Sequence, residues 1–93
     1  MEVKHDKSKL KNRFLLLKDG VEIGEMTYVF VKDNIIDINH TLIDEQYRGN
    51  DCGLKLVAAA VDYMRKENIT ARASCPYVKK VFKETTAYAD VIA

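Results

Sequence analysis

From Phe14 onward, apolar and polar positions alternate in short runs, then give way to a helical period, and the change comes at a glycine-containing loop. Phe14-Leu15-Leu16-Leu17, the pair Asp19-Gly20 and Val21-Glu22-Ile23 predict a strand, a tight hairpin turn and a second strand. The second strand extends to Val31, with a change of phase near Gly24-Glu25. Val21 and Ile23 share one parity while Met26, Tyr28 and Phe30 share the other, which predicts a bulge or bend at the glycine. After a turn at Asp33-Asn34, Ile35 to Ile43 reads as a third strand. Simple alternation puts Ile36, Ile38, His40 and Leu42 on one face and Asp37, Asn39 and Thr41 on the other. The three strands should form an antiparallel meander.

Beyond the loop, Leu54, Val57, Val61 and Met64 recur at helical spacing beside Ala58 and Ala60, while Lys55, Asp62, Arg65, Lys66 and Glu67 cover the far side. Asn68 is placed to stop this helix. Ile69 to Cys75 reads as a fourth strand ended by the only proline, Pro76. Val78, Val81 and Phe82 then mark a shorter helix from Tyr77 to Thr85. The predicted class is α/β (α+β): an antiparallel meander, a βαβ unit and a short C-terminal helix, in one domain spanning residues 1–93.

The crossover makes the third and fourth strands parallel, so topology alone gathers four segments at one sheet edge. They are the end of the third strand (Thr41, Leu42, Ile43), the loop, the start of the long helix, and Ser74-Cys75. Ligands of open α/β sheets sit outside such strand ends. The loop Gln46-Tyr47-Arg48-Gly49-Asn50-Asp51-Cys52-Gly53 leads into a helix whose first N–H groups lack intrahelical partners, and the helix dipole adds about half a positive charge there. A phosphate or pyrophosphate fits that chemistry.

Composition narrows the classes. The 47% hydrophobic content suits a globular core, and the net charge of +1 gives no global attraction to nucleic acid or to an acidic membrane. Lys4, Lys7, Lys9, Lys11 and Arg13, spread among Glu2, Asp6 and Ser8 without aromatics, read as a solvated N-terminal segment. No apolar run approaches the ~20 residues of a membrane span and the first residues lack a signal-type apolar region, so a cytoplasmic location is expected. Cys52 and Cys75 are too few for a disulfide framework and lack zinc-ligand spacing, so free thiols and no metal are expected.

The loop, together with Cys75-Pro76-Tyr77-Val78-Lys79-Lys80-Val81-Phe82 and Tyr88-Ala89-Asp90-Val91, resembles the minimal branch of the GNAT acyltransferase superfamily from Arg13 onward. The resemblance implies an acetyl-CoA-dependent N-acetyltransferase acting on an unknown amine, either a small amine or a peptide. It implies that Arg48, Gly49, Asn50, Asp51, Cys52 and Gly53 hold the pyrophosphate and that Thr41, Leu42 and Ile43 pair with the pantetheine arm; Lys79, about one turn beyond Cys75, is read from the residues as a cation of the cofactor-binding set. Family loops run Arg-x-x-Gly-x-Gly/Ala, and here Asp51 occupies the inner glycine position. Its carboxylate opposes phosphate unless Arg48 or a lysine offsets it. Two catalytic candidates follow. Cys75 would be a nucleophile activated by a helix N-terminus or nearby cation, and its alternative is an inert buried thiol. His40 would be a general base, and its alternative is a hydrogen-bonded core histidine. Asp44, Glu45 and Tyr77 are lesser acid–base candidates, and Cys52 reads chiefly as packing. A non-catalytic module, binding CoA or a protein partner through the same edge, remains the second reading.

Overall fold

In the computed structural model, residues 1–8 and 11–93 are described, apart from the side chains of residues 8 and 11. The strands are β1 (Glu2–Ser8), β2 (Lys11–Lys18), β3 (Val21–Lys32), β4 (Ile35–Ile43) and β5 (Thr70–Ala73). The helices are α1 (Cys52–Glu67) and α2 (Pro76–Glu84), with short 3-10 turns at Glu45–Tyr47 and Ala89–Val91. One sheet runs in the order β1-β2-β3-β4-β5, antiparallel throughout except for the parallel pair β4 and β5.

The local chemistry explains most boundaries. Asp19 and Gly20 both take positive φ, 51° and 80°, as the tight hairpin between β2 and β3 requires. The predicted bulge is present: Leu16 pairs with Gly24 and Leu17 with Glu22, so Ile23 is the extra residue. Asn68 ends α1 in the left-handed region at φ 56°, and its N–H donates to the Met64 carbonyl. Pro76 opens α2, where its missing N–H costs nothing. Leu16, Met26, Tyr28, Ile36 and Ile38 of the sheet close over Leu56, Val57, Ala60, Val61 and Met64 of α1, and Val78, Val81 and Phe82 of α2 join the same core.

Three expectations are corrected. The basic N-terminal segment is strand β1, paired with β2 from Glu2 opposite Leu17 to Ser8 opposite Lys11. Its charges mask an alternation in which Val3 packs against the core and the His5 ring stacks on Phe14 at 4.2 Å. Lys9 of that basic run lies outside the described residues. In α1 the buried stripe uses Leu56 instead of Leu54, which is 44% exposed, because the helix begins at Cys52 and its inward face is set by Cys52, Gly53 and Leu56.

The third correction concerns His40, which is exposed and so is not a core histidine. Thr27 pairs with His40 and Tyr28 with Ile38, leaving Asn39 as the extra residue of a second bulge. The Thr27 hydroxyl donates to Asn39 Oδ1 across it. Asn39 and His40 both turn away from α1, and Thr41 and Ile43, not Leu42, return to the covered face.

Candidate functional site

The site is built where β4 outruns β5. Parallel pairing covers Ile35 to Ile38 against Thr70 to Ala73 and then stops. The next two amides, Ser74 N–H and Cys75 N–H, both donate to the Ile38 carbonyl at 3.1 and 3.0 Å. Asp37 accepts from the Ser74 N–H at 3.0 Å and from its hydroxyl at 2.7 Å, and this clasp turns the chain into α2. From Asn39 to Ile43, the side of β4 that β5 had occupied has no strand partner among the described residues. A groove of about 580 Å³ fills the gap.

Three walls line it. Thr41, Leu42 and Ile43 form one; Arg48, Gly49, Asp51, Cys52, Gly53 and Leu54 form the second; Tyr77, Lys80, Val81 and Glu84 of α2 form the third, with Tyr47 at the loop. The loop is held from within. Tyr47 and Arg48 N–H groups return to Asp44 and Glu45, Asn50 Nδ2 donates to the Tyr47 carbonyl at 3.3 Å, and Gly49 supplies φ 84°. Arg48 Nε donates to the Ile43 carbonyl at 3.2 Å, which fixes the guanidinium beside the groove with donors to spare.

Asp51 is the residue before α1 and takes the left-handed conformation, φ 58° and ψ 22°, without capping the helix through its side chain. The left-handed geometry that glycine would adopt freely is therefore kept by aspartate, which tolerates it better than most residues. Gly53 meets a different demand. A Cβ there would lie 2.6 Å from the Tyr77 hydroxyl, so the glycine makes room for that ring against the helix. Burial, then the charges of Asp51 and Cys75, push the Tyr77 hydroxyl up from its ordinary range, so it stays protonated at neutral pH.

Of the residues read from the sequence, Thr41, Leu42, Ile43, Arg48, Gly49, Asp51, Cys52 and Gly53 come together on the groove, and Asn50 braces its loop. Cys52 is buried, with its thiol 3.9 Å from Met1 Sδ. Cys75 lies behind the wall: it is 4% exposed, immediately precedes α2, and its Sγ is 3.5 Å from Thr41 Oγ1. His40 sits on the face of β4 turned away from α1. Lys79 lines a separate groove with Arg72 and Lys83, and Lys80 takes the position facing this one. The helical period could have shown that: with Val78, Val81 and Phe82 inward, Tyr77, Lys80, Val81 and Glu84 form a continuous stripe. A smaller hollow of about 310 Å³ adjoins at Leu42, Ile43 and Arg48 and carries Glu22, Glu25, Asp44 and Glu45.

Residues 13–91 match the profile of the GCN5-related N-acetyl-transferase family. The chain belongs to that family. Protein NATD1 of Danio rerio is 31% identical over 84 residues, which cover 90% of this chain and 76% of the relative. The NMR structure of a GCN5-like protein from Staphylococcus aureus superposes with a TM-score of 0.78 at 31% identity, covering 99% of this chain and 87% of the other. An aminoglycoside N-acetyltransferase in complex with CoA shares the fold alone, with a TM-score of 0.59 at 14% identity over 84% of this chain and 68% of that one. This GCN5-related acetyltransferase domain thus combines a five-stranded sheet with a glycine loop that lines the groove.

Proposed function

We propose that the groove binds acetyl-CoA and that the protein transfers its acetyl group to an amine. The observation that carries this reading is the parting of β4 from β5 beside the N-terminus of α1. A CoA thioester presents two very different parts, and the groove has a match for each. The first N–H groups of α1 and the spare Arg48 donors suit a pyrophosphate. The open edge of β4 from Thr41 to Ile43 offers backbone donors and acceptors to an amide-bearing arm, in the manner of an added strand.

In the transfer, the amine nitrogen attacks the thioester carbonyl, a C–N bond forms, the C–S bond breaks and CoA leaves as a thiolate that takes up a proton. The amine must lose a proton. Two routes supply this chemistry. Cys75 could first accept the acetyl group from acetyl-CoA, reached past Thr41, and hand it to the amine; alternatively the amine approaches from the outer face of β4, where His40 is exposed outside the groove lining, and attacks directly with His40 as base. Tyr77, protonated and on the groove wall, is suited to supply the thiolate's proton. Asp51 favours a second reading, in which the groove holds CoA without turnover, because its carboxylate stands at the phosphate end.

Thermal melting with acetyl-CoA tests the binding. At a hundredfold excess over Kd the ligand should stabilise the fold by about 2.7 kcal/mol. An unchanged melting temperature at millimolar acetyl-CoA would sink the reading. Intact-protein mass spectrometry of the same mixture, without acceptor, separates the routes. A single added acetyl group that is lost in Cys75→Ala supports the thioester. An unmodified protein whose Cys75→Ala variant keeps its rate, while His40→Ala loses roughly 10²–10⁴-fold, supports direct transfer.

A further inference from the structure

A second groove, of about 300 Å³, lies between α2, β5 and the terminal segment. Arg72, Lys79 and Lys83 supply its charge and Ala73, Phe82 and Ile92 its apolar lining. It is separate from the proposed acetyl-CoA site: α2 presents Lys79 and Lys83, one turn apart, to this groove and Lys80 and Glu84 to the other. Among the described residues, no carboxylate side chain lines it. Asp37, the register partner of Arg72 on β4, has its oxygens engaged by Ser74. Among the described residues, the three cations form no ion pair.

We infer that this groove docks a peptide segment of a protein partner in which acidic and apolar side chains alternate. Three unneutralised cations around an apolar floor are complementary to that pattern: the carboxylates reach the Arg72 fork and the lysines while an apolar side chain covers Phe82 and Ile92. The other anionic partners fit less well. Nucleic acid binding of this kind relies on exposed aromatic faces, and Phe82 is only 9% exposed. A free phosphate favours clustered backbone N–H donors, and α2 begins at Pro76, away from this groove. An anionic membrane surface would gain from an inserted apolar wedge, and Ile92 is the only large, well-exposed apolar residue of the lining. The docking is independent of whether acetyl-CoA binds.

The test is a titration of the isotope-labelled full chain with a short synthetic peptide alternating Glu and Leu, beside its Gln and Leu counterpart. The acidic peptide should shift the amides of Ala73, Lys79, Phe82, Lys83 and Ile92. Its affinity should fall on the order of tenfold between about 50 mM and about 300 mM salt. Binding should be lost in R72E and in K83E at unchanged melting temperature, the two exposed single changes guarding against a variant that fails to fold. Equal binding of the Gln peptide, or retained binding in both variants, would overturn the inference. So would silence toward the acidic peptide while inorganic phosphate, single-stranded DNA or phosphatidylserine vesicles shift the same amides.

Discussion

Asp51 and Gly53 stand two residues apart in the loop, and the structure gives them separate tasks. Gly53 is required by a neighbour, since any side chain would collide with the Tyr77 ring, a contact no reading of the loop by itself could anticipate. Asp51 holds a left-handed turn while placing a carboxylate on the groove wall. If the groove takes a pyrophosphate, that charge works against it, and Asp51→Gly should tighten acetyl-CoA binding several-fold at low salt, with the gain shrinking as salt screens it. Calorimetric titration of both proteins measures this, and equal or weaker binding in the variant would show that the carboxylate does not oppose the ligand. The loop was legible from the sequence as the glycine-containing turn that opens α1. The reason for Gly53 was not, because the contact that requires it comes from a helix more than twenty residues downstream.

At the level of elements, the meander, both helices and the bulge before Gly24 followed from alternation and turn chemistry, whereas β1 did not. Its inward positions, Val3 and His5, are diluted by five lysines and arginines within the first thirteen residues, and strand pairing needs a partner that local pattern cannot supply. His5 is the residue that anchors it. Its ring stacks on Phe14, meets Tyr63 edge-on, and its Nε2 lies 2.6 Å from the Tyr28 hydroxyl. Burial first, then Lys7, lowers its pKa below the ordinary 6.5, with Asp6 opposing, while Asp62 and Lys66 of α1 line the same hollow. The folded state therefore prefers the neutral ring. That contribution is fully present above the unfolded pKa near 6.5 and is lost as pH falls from there through the lower folded value. Urea unfolding at pH steps from about 7.5 to about 5 should show stability declining, and His5→Gln should flatten that part of the profile. A slope unchanged by the substitution would assign the dependence elsewhere. The Asp90 carboxyl, lowered by its Arg65 partner, acts in a separate window below 3.8.

Across the whole molecule, topology was the most legible level and the site's inner geometry the least. A βαβ unit after a meander places strand ends, loop and helix start on one edge whatever the side chains do, so most of the groove-lining residues of β4 and the loop were named from the sequence. His40 was placed on the covered face by a plain alternation that the bulge in β4 breaks, and Lys79 was placed at the groove although the helical period of α2 gives that flank to Lys80. The bulge in β4 has an arithmetic consequence for the chain's tolerance of insertions and deletions. Losing one residue from a strand ordinarily turns everything beyond it inside out. Asn39 is the exception, being the surplus residue: a chain lacking it restores plain alternation, with Thr41 and Ile43 still facing inward and Leu42 outward. A chain lacking Thr41 instead would send Leu42 inward and Ile43 out. Melting curves of the two single-residue deletions should therefore differ, with the Asn39 deletion the more stable, and equal destabilisation would mean that the surplus residue carries the strand's curvature as well as its count.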